Sequence, residues 1–268
     1  ALPISSRLLN DNQAAEATNV KLTSGALQPV KAPLLSHTSL ADSISTMYRY
    51  KFGAAVNWLV WGMDVDVAQS PTSQDTLGRI YWTGDGEPRM SVYSLAIGAA
   101  PYPSAWYCLG VPEPVTAMSI GITGGSGSTE DRAYVYTFVT QYGEESGPSP
   151  ATLKTGYSNA TSWDITGMDT APPNSGTISA AVKDTPGAGY VTVTLNTTRA
   201  LRAGEEVTFA GVSGMTDLNG TFELYSVPST TTVVVPLATT QTYSGGADTW
   251  TRVAPHNTTG MVKRIYRT

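Results

Sequence analysis

Residues 132–153, near the middle of the chain, open with a pattern of period two that runs over residues 134–139 and is broken at Gly143. Aromatic side chains stand at every second position, at Tyr134, Tyr136 and Phe138, and β-branched residues fill the positions between them. This alternation predicts a strand with one face packed on a core. Residues 262–268 alternate in the same way, so we expect the two segments to be strands of one sandwich.

The same pattern predicts short strands before this segment. Residues 48–67 indicate a strand, a turn and a second strand, on which Trp58, Val60 and Gly62 share one face. Residues 79–90 give the clearest hairpin signal, because a strand at 80–83 runs into Gly84-Asp85-Gly86, whose glycines suit the positive φ angles of a tight turn.

Turn signals complete the pattern near both ends of this region. Two further short strands are expected around the Ser24-Gly25 turn, after a possible short helix at residues 11–17. The glycine-rich residues 124–131 predict a flexible loop or hairpin tip.

Residues 177–253 have a strand set of their own, separated by glycines and entered through Pro172-Pro173. The expected strands lie at 191–195, 206–210, 221–227, 232–237 and 249–253. Five short strands in such a segment are typical of a small barrel or sandwich. The sequence therefore predicts an all-β fold with four parts: an N-terminal β region (1–60), a hairpin region (61–115), a sandwich (116–176 plus 254–268) and an inserted β-module (177–253).

Composition narrows the classes of function. Only 14% of the residues are charged, against about 25% in an ordinary soluble domain, which favours a surface that contacts other protein. The net charge is −5, and residues 61–131 carry eight acidic and two basic side chains, so a basic nucleic-acid grip is not expected. One cysteine allows no internal disulfide. We expect no membrane span and no signal peptide, because no long apolar run is present.

Candidate catalytic and metal-binding residues are few. His37 and His256 each lie in a polar, turn-like setting, and we expect solvated loop residues. Cys108, between Tyr107 and Leu109, is expected to be a small buried apolar side chain. Asp64 and Asp66 project from one strand face and are weak candidates for a hard-cation site; a solvated face is the simpler interpretation. No cofactor is expected.

Two further sets of acidic residues are candidates for a functional site. Asp85 would have to join Asp64 and Asp66 to form the paired carboxylates of a polysaccharide-degrading enzyme. Glu144 and Glu145, adjacent in a turn, are interpreted as solvated charges that point apart. The sequence thus favours a protein without a catalytic site.

Several stretches resemble one family. Residues 15–29 (AEATNVKLTSGALQP) are similar to the N-terminal segment of tail nozzle proteins, also called tail tubular protein B, of short-tailed bacteriophages. The runs RIYWTGDGEPRM and CLGVPEP resemble segments of tailed-phage virion proteins. YVYTFVTQYGEESGPSP, completed by RIYR, is similar to the fibronectin-III-like, or immunoglobulin-like, sandwich of those proteins, and GEEVTFAG with LNGTF resembles a small β-module inserted in phage structural proteins.

The resemblance implies a ring-forming, non-enzymatic virion component made in the host cytoplasm. Its partners would be other copies of itself and further tail proteins such as an adaptor or fibre, with DNA only in transit and no membrane anchoring. Nozzle proteins are longer, so the chain could be the N-terminal part of one. Two alternatives stay open: a carbohydrate- or receptor-binding module of a virion, and a polysaccharide-degrading tail enzyme.

Overall fold

The computed structural model describes residues 20–21, 28–29 and 43–268, and the chain divides into two units, residues 1–40 and 41–268. In the first unit, β1 (Val20–Lys21) pairs antiparallel with β2 (Gln28–Pro29). The expected short strand pair around Ser24-Gly25 is thus confirmed; the possible helix at 11–17 and His37 lie outside the described residues. The described chain is nearly all β, so the predicted fold class is also confirmed.

The first core of the second unit is built by two small sheets. One is a hairpin of β3 (Thr46–Phe52) and β4 (Ala55–Trp61), and the other has the order β5-β6-β7-β8, with strands at Asp66–Gln69, Ile80–Thr83, Arg89–Ser91 and Tyr107–Cys108. A single helical turn, α1 (Tyr93–Ala96), follows β7. The shared core contains Tyr50, Leu59, Trp61, Val65, Ile80, Trp82 and Ala96.

The structure confirms one hairpin of this region in detail and specifies the buried face of the other. Strand β6 spans the predicted residues 80–83, and Gly84 and Gly86 have φ angles of +101° and +78°. In β4 the core face carries Leu59 and Trp61, and Trp61 packs against Trp82. Trp58 and Val60 lie on the opposite face and are half-buried.

Two sheets enclose the second core. The three-stranded sheet has the order β11-β10-β19, with strands at Thr152–Tyr157, Thr129–Val139 and Val262–Arg267, and the two-stranded sheet pairs β9 (Ser119–Thr123) with β12 (Ser162–Thr166). Tyr134, Tyr136 and Phe138 are buried between them. The expected pairing of the central strand with the 262–268 segment is present.

The predicted glycine loop is shorter than expected. Glu130 and Asp131 belong to β10, so the loop spans only residues 124–128. It is also not a hairpin tip, because β9 and β10, which it joins, lie in different sheets. The acidic pair extends β10 because both residues pair with β11, opposite Gly156 and Thr155.

The third core lies inside a six-stranded sheet of order β16-β15-β18-β13-β14-β17. Its strands, in chain order, are β13 (Ser175–Lys183), β14 (Tyr190–Leu195), β15 (Glu206–Ala210), β16 (Gly220–Glu223), β17 (Thr232–Pro236) and β18 (Thr249–Arg252). A 3₁₀ turn at Thr216–Leu218 precedes β16. The sheet curls until its two outer strands almost meet, since Tyr225 N–H donates to Val234 O and Val234 N–H to Ser226 O, both at 2.9 Å.

The inserted strands leave and rejoin the rest of the unit at one place. The first strand, β13, pairs with the last, β18, through Ser175↔Thr251. Just outside them, the Asn174 side-chain amide donates to His256 O at 2.9 Å and its oxygen accepts from His256 N–H at 2.8 Å. Asn174 therefore ties the two ends of the module together.

Within the part of the chain that the structure describes, no helix is long and apolar enough to cross a membrane.

Candidate functional site

Several buried and half-buried ionisable groups of the described chain surround a cavity of about 220 Å³, which we call the junction pocket. It is lined by Glu87, Pro88, Cys108, Leu109, Gly110, Val111, Pro112, Ala200, Arg202, Glu205 and His256. Three parts of the chain supply these residues. Residues 87–112 belong to the four-stranded sheet and the segment that follows it. Residues 200–205 belong to the inserted module, and His256 lies in the segment that returns to the sandwich. The pocket thus lies where three β regions of the second unit meet.

Local strand geometry places the first side of the pocket. Glu87 follows the Gly86 turn of the β6–β7 hairpin, and Cys108 ends β8. The Cys108 N–H donates to Pro255 O at 2.9 Å, and the Leu109 N–H donates to Pro88 O at 2.7 Å. These two backbone bonds join β8 both to its own hairpin and to the return segment.

Glu205, on the second side of the pocket, belongs to a buried ion pair. Glu205 and Arg252 are 3% and 4% exposed, and Arg252 Nη1 donates to Glu205 Oε2. Burial raises the pKa of Glu205 to about 7, although the Arg252 guanidinium acts in the opposite direction. The pair carries little net charge into the interior, which is how charged groups are accommodated there.

His256 is buried, which corrects the expectation of a solvated loop residue. Its side chain is 6% exposed, and neither ring nitrogen has a hydrogen-bond partner of ordinary geometry among the described residues. Burial, reinforced by the positive charge of Arg252, lowers its pKa to about 4. The imidazole is therefore neutral at physiological pH.

Cys108 is half-buried beside carboxylates rather than in an apolar environment, a second correction to the sequence interpretation. Burial, together with the charges of Glu87 and Glu205, raises its pKa to about 12. The reactive form of cysteine is the thiolate, and at neutral pH this side chain is a thiol. Its Sγ lies 3.7 Å from Leu109 O.

Burial also raises the pKa of Glu87. The pocket thus combines a neutral imidazole, a protonated thiol and a carboxylate already paired with a guanidinium. None of these is an activated nucleophile of the kind that covalent catalysis requires. No group of three or more His, Cys, Asp or Glu residues within 43–268 could hold a metal ion. These polar side chains fill the space where three β regions of the second unit meet.

The other predicted site residues, Asp64, Asp66 and Asp85, form no metal-binding group in residues 43–268. Asp64 lies between β4 and β5 and is exposed, and Asp66, also exposed, begins β5 beside a shallow groove that includes Tyr81 and Trp82. Asp85 is paired with Arg89 at 2.6 Å.

Glu145 is not a free solvated charge, contrary to the sequence interpretation. Its carboxylate accepts hydrogen bonds from Thr137 Oγ1 at 2.6 Å, Arg264 Nη1 at 2.7 Å and Tyr266 Oη at 2.5 Å. These bonds, Thr137 first, lower the pKa of Glu145. Glu144, by contrast, has a pKa raised by burial. Glu145 fastens β19 to β10.

Sequence reasoning missed Glu205 and Arg252, although strand parity carried a signal for both. Glu205 has the parity of Val207 and Phe209, and Arg252 has the parity of Trp250, all of which are buried. Side chains two residues apart in a strand share a face. Glu205 and Arg252, each on the buried face of its own segment, therefore indicate a buried ion pair.

A scan of protein-family models finds no match to this chain, and a search of curated proteins finds no significant relative.

Proposed function

We propose that the chain is a structural, non-catalytic subunit of a bacteriophage tail, in a nozzle- or hub-type ring around the DNA path. The observation that carries the structural part of this proposal is the junction pocket, where three β regions meet around buried ionisable groups and where Glu205 is already paired with Arg252. An enzyme needs such groups free to face a substrate. Here they are enclosed where the β regions meet, and the bond from the Cys108 N–H to Pro255 O joins two of those regions.

The tail assignment is supported by the resemblance of residues 15–29, 79–90 and 134–150 to phage nozzle proteins. The low charge content supports extensive protein contacts. The partners would be further copies of the chain in a ring and adjoining tail proteins, and the location is the virion.

Imaging of the native particle tests this function. Phage particles that encode the chain are purified, the protein is identified in them by mass spectrometry, and the tail is reconstructed by electron cryomicroscopy. We expect several copies in a ring with cyclic symmetry, because closed rings of identical subunits bury one repeated interface. Absence of the protein from the particle, or one asymmetric copy per virion, would contradict the proposal.

A second candidate function, carbohydrate binding by the inserted module, is favoured by one surface feature. Tyr190 and Tyr225 lie with ring centroids 4.7 Å apart, and Tyr225 is 58% exposed. The two rings are tilted by 48° and Tyr190 is half-buried, so the exposed ring of Tyr225 is the apolar surface that a sugar ring would contact. A glycan array with the native chain and Tyr225→Ala tests it: binding that the variant loses supports this function, and no binding by the native chain removes it.

A further inference from the structure

Among the described strands, the outer edge of the sandwich at β19 has no neighbour and combines several unusual properties. Strand β19 is the outer strand of the sheet β11-β10-β19, and all six of its residues are exposed. Three of them are large and apolar, Val262, Ile265 and Tyr266, with exposed fractions of 56%, 44% and 46%. An exposed edge strand is a template for pairing with another chain.

Hydrogen-bond alternation shows which backbone groups are available. Thr268 N–H donates to Ala133 O at 3.1 Å, and Tyr136, which pairs with Ile265, instead directs its N–H and C=O toward Ser149. In an antiparallel ladder, hydrogen-bonded and non-bonded pairs alternate. The N–H and C=O groups of Lys263, Ile265 and Arg267 therefore point away from β10, toward the open edge.

The same three residues share one face of the sheet. They lie opposite Phe138, Tyr136 and Tyr134, so they continue the face that covers the sandwich core. The opposing sheet has only two strands, and Lys263, Ile265 and Arg267 remain exposed beyond it. This face of β19 presents a cation, an apolar side chain and a second cation in order. Arg264, on the other face, is already paired with Glu145 at 2.7 Å.

Charge disfavours a second copy of β19 as the occupant of this edge. A symmetric antiparallel pair places one residue opposite its own copy. With Ile265 on the axis, Lys263 of each copy lies opposite Arg267 of the other; with Arg264 on the axis, the two Arg264 side chains face each other. Like charges directly opposite destabilise a strand pair, and these two centred registers are the ones that pair the most residues.

We propose that the β19 edge binds an extended polypeptide segment that carries carboxylates two residues either side of an apolar residue. Such a segment adds a strand to the sheet through the outward backbone groups of Lys263, Ile265 and Arg267. Its carboxylates lie opposite the two cations, and its apolar side chain covers Ile265. The cations protect the edge from self-pairing and select an acidic strand in its place. The proposal does not depend on the tail function.

A peptide-binding experiment on the full chain tests this surface. The probe is a fluorescent peptide, Thr-Glu-Thr-Val-Thr-Glu-Thr, and the control peptide has lysine in place of both glutamates. We expect saturable binding of the acidic peptide with an affinity of about 1 mM or tighter, and none of the lysine peptide. Charge reversal in Lys263→Glu/Arg267→Glu should weaken binding of the acidic peptide by about tenfold or more.

A proline substitution separates strand addition from simple charge attraction. Ile265→Pro removes an N–H that points outward and leaves the β10–β19 bonds intact, so the fold is retained. It should abolish binding, while Ile265→Val, which keeps the N–H, should bind as the native chain does. No saturable binding, or equal binding by Ile265→Pro, would overturn the proposal. So would a dimer seen by analytical ultracentrifugation that Ile265→Pro dissociates, since the occupant would then be a second copy.

Discussion

At the scale of single residues, His256 makes stability depend on pH. Its pKa is about 4 in the folded chain against an ordinary 6.5, so the unfolded chain binds the extra proton first. Stability is therefore lost as pH falls from about 6.5 to about 4, by up to about 3 kcal/mol. Urea unfolding across this range, compared between the native chain and His256→Gln, measures it.

The comparison with His256→Gln is needed because other groups face the imidazole. Arg202, Glu87 and Glu205 line the junction pocket with His256, and the charge of Arg252, the partner of Glu205, also acts on the imidazole. Glu205, whose pKa is raised to about 7, takes up a proton in the folded state as pH falls and so acts in the opposite sense. If the two pH profiles are parallel below pH 6.5, His256 does not titrate as described.

The Glu205–Arg252 pair gives a second prediction at this scale. Arg252→Met leaves the Glu205 carboxylate, 3% exposed, without its partner, and we expect a loss of about 3 kcal/mol at pH 8. The loss should shrink at pH 5, where Glu205 is protonated. Thermal and urea unfolding should show that Arg252→Met/Glu205→Leu recovers most of the stability; a double variant as unstable as the single one would contradict this account.

At the scale of elements, β13 depends on a glycine inside the strand. A Cβ at Gly176 would lie 2.1 Å from Asn196 Oδ1 and 2.6 Å from Trp250 Nε1, atoms that hydrogen-bond to each other at 3.0 Å. Gly176→Ala should destabilise the chain by about 1–3 kcal/mol through overpacking. Gly187→Ala is the matched control, since nothing lies within 4 Å of its Cβ, and its melting temperature should be nearly unchanged.

The Glu145 carboxylate makes the attachment of β19 testable. Glu145→Ala removes the acceptor of Thr137, Arg264 and Tyr266, so the Arg264 and Tyr266 amides should exchange with solvent faster. The pKa of Glu145 is lowered. The native chain should therefore lose the protection of the Arg264 and Tyr266 amides only as pH falls through the pKa of Glu145. Glu130→Gln, near the start of β10 and paired with Arg132, is the control and should leave β19 exchange unchanged.

Elements with alternating large side chains could be predicted from the sequence, and those without them could not. Strand β10 and the β6–β7 hairpin follow from their aromatic alternation and turn glycines. Strand β13, with the sequence SGTISAAVK, has few large side chains, and it is a strand because β14 and β18 pair with it on both sides. His256 was predicted to be solvated because its neighbours are polar, whereas its burial results from three distant segments that meet around it.

At the scale of the whole molecule, the inserted module should be separable. Its strands span residues 175–252, and Asn174 holds its two ends together at His256. Replacing 175–252 by a short Gly/Ser linker should leave a cooperative thermal transition, because small modules with adjacent ends can be removed without breaking the surrounding sheet. The remainder loses the module residues that line the junction pocket, Ala200, Arg202 and Glu205, so we expect a lower melting temperature.

The excised chain also tests the four-part map predicted from the sequence. Circular dichroism should retain the β signal of the sandwich, and an isolated 173–254 fragment should fold by itself. An unfolded remainder would mean that the module is part of the sandwich core rather than an insertion into it.

The adjacent ends of the module have a mechanical consequence. A pulling force applied along the chain reaches the module at Asn174 and Val253, beside the first pair of the β13–β18 ladder, Ser175↔Thr251. It peels these two strands apart one hydrogen bond at a time instead of shearing all their bonds together. The module therefore yields at low force, and its release lengthens the chain by roughly 250 Å.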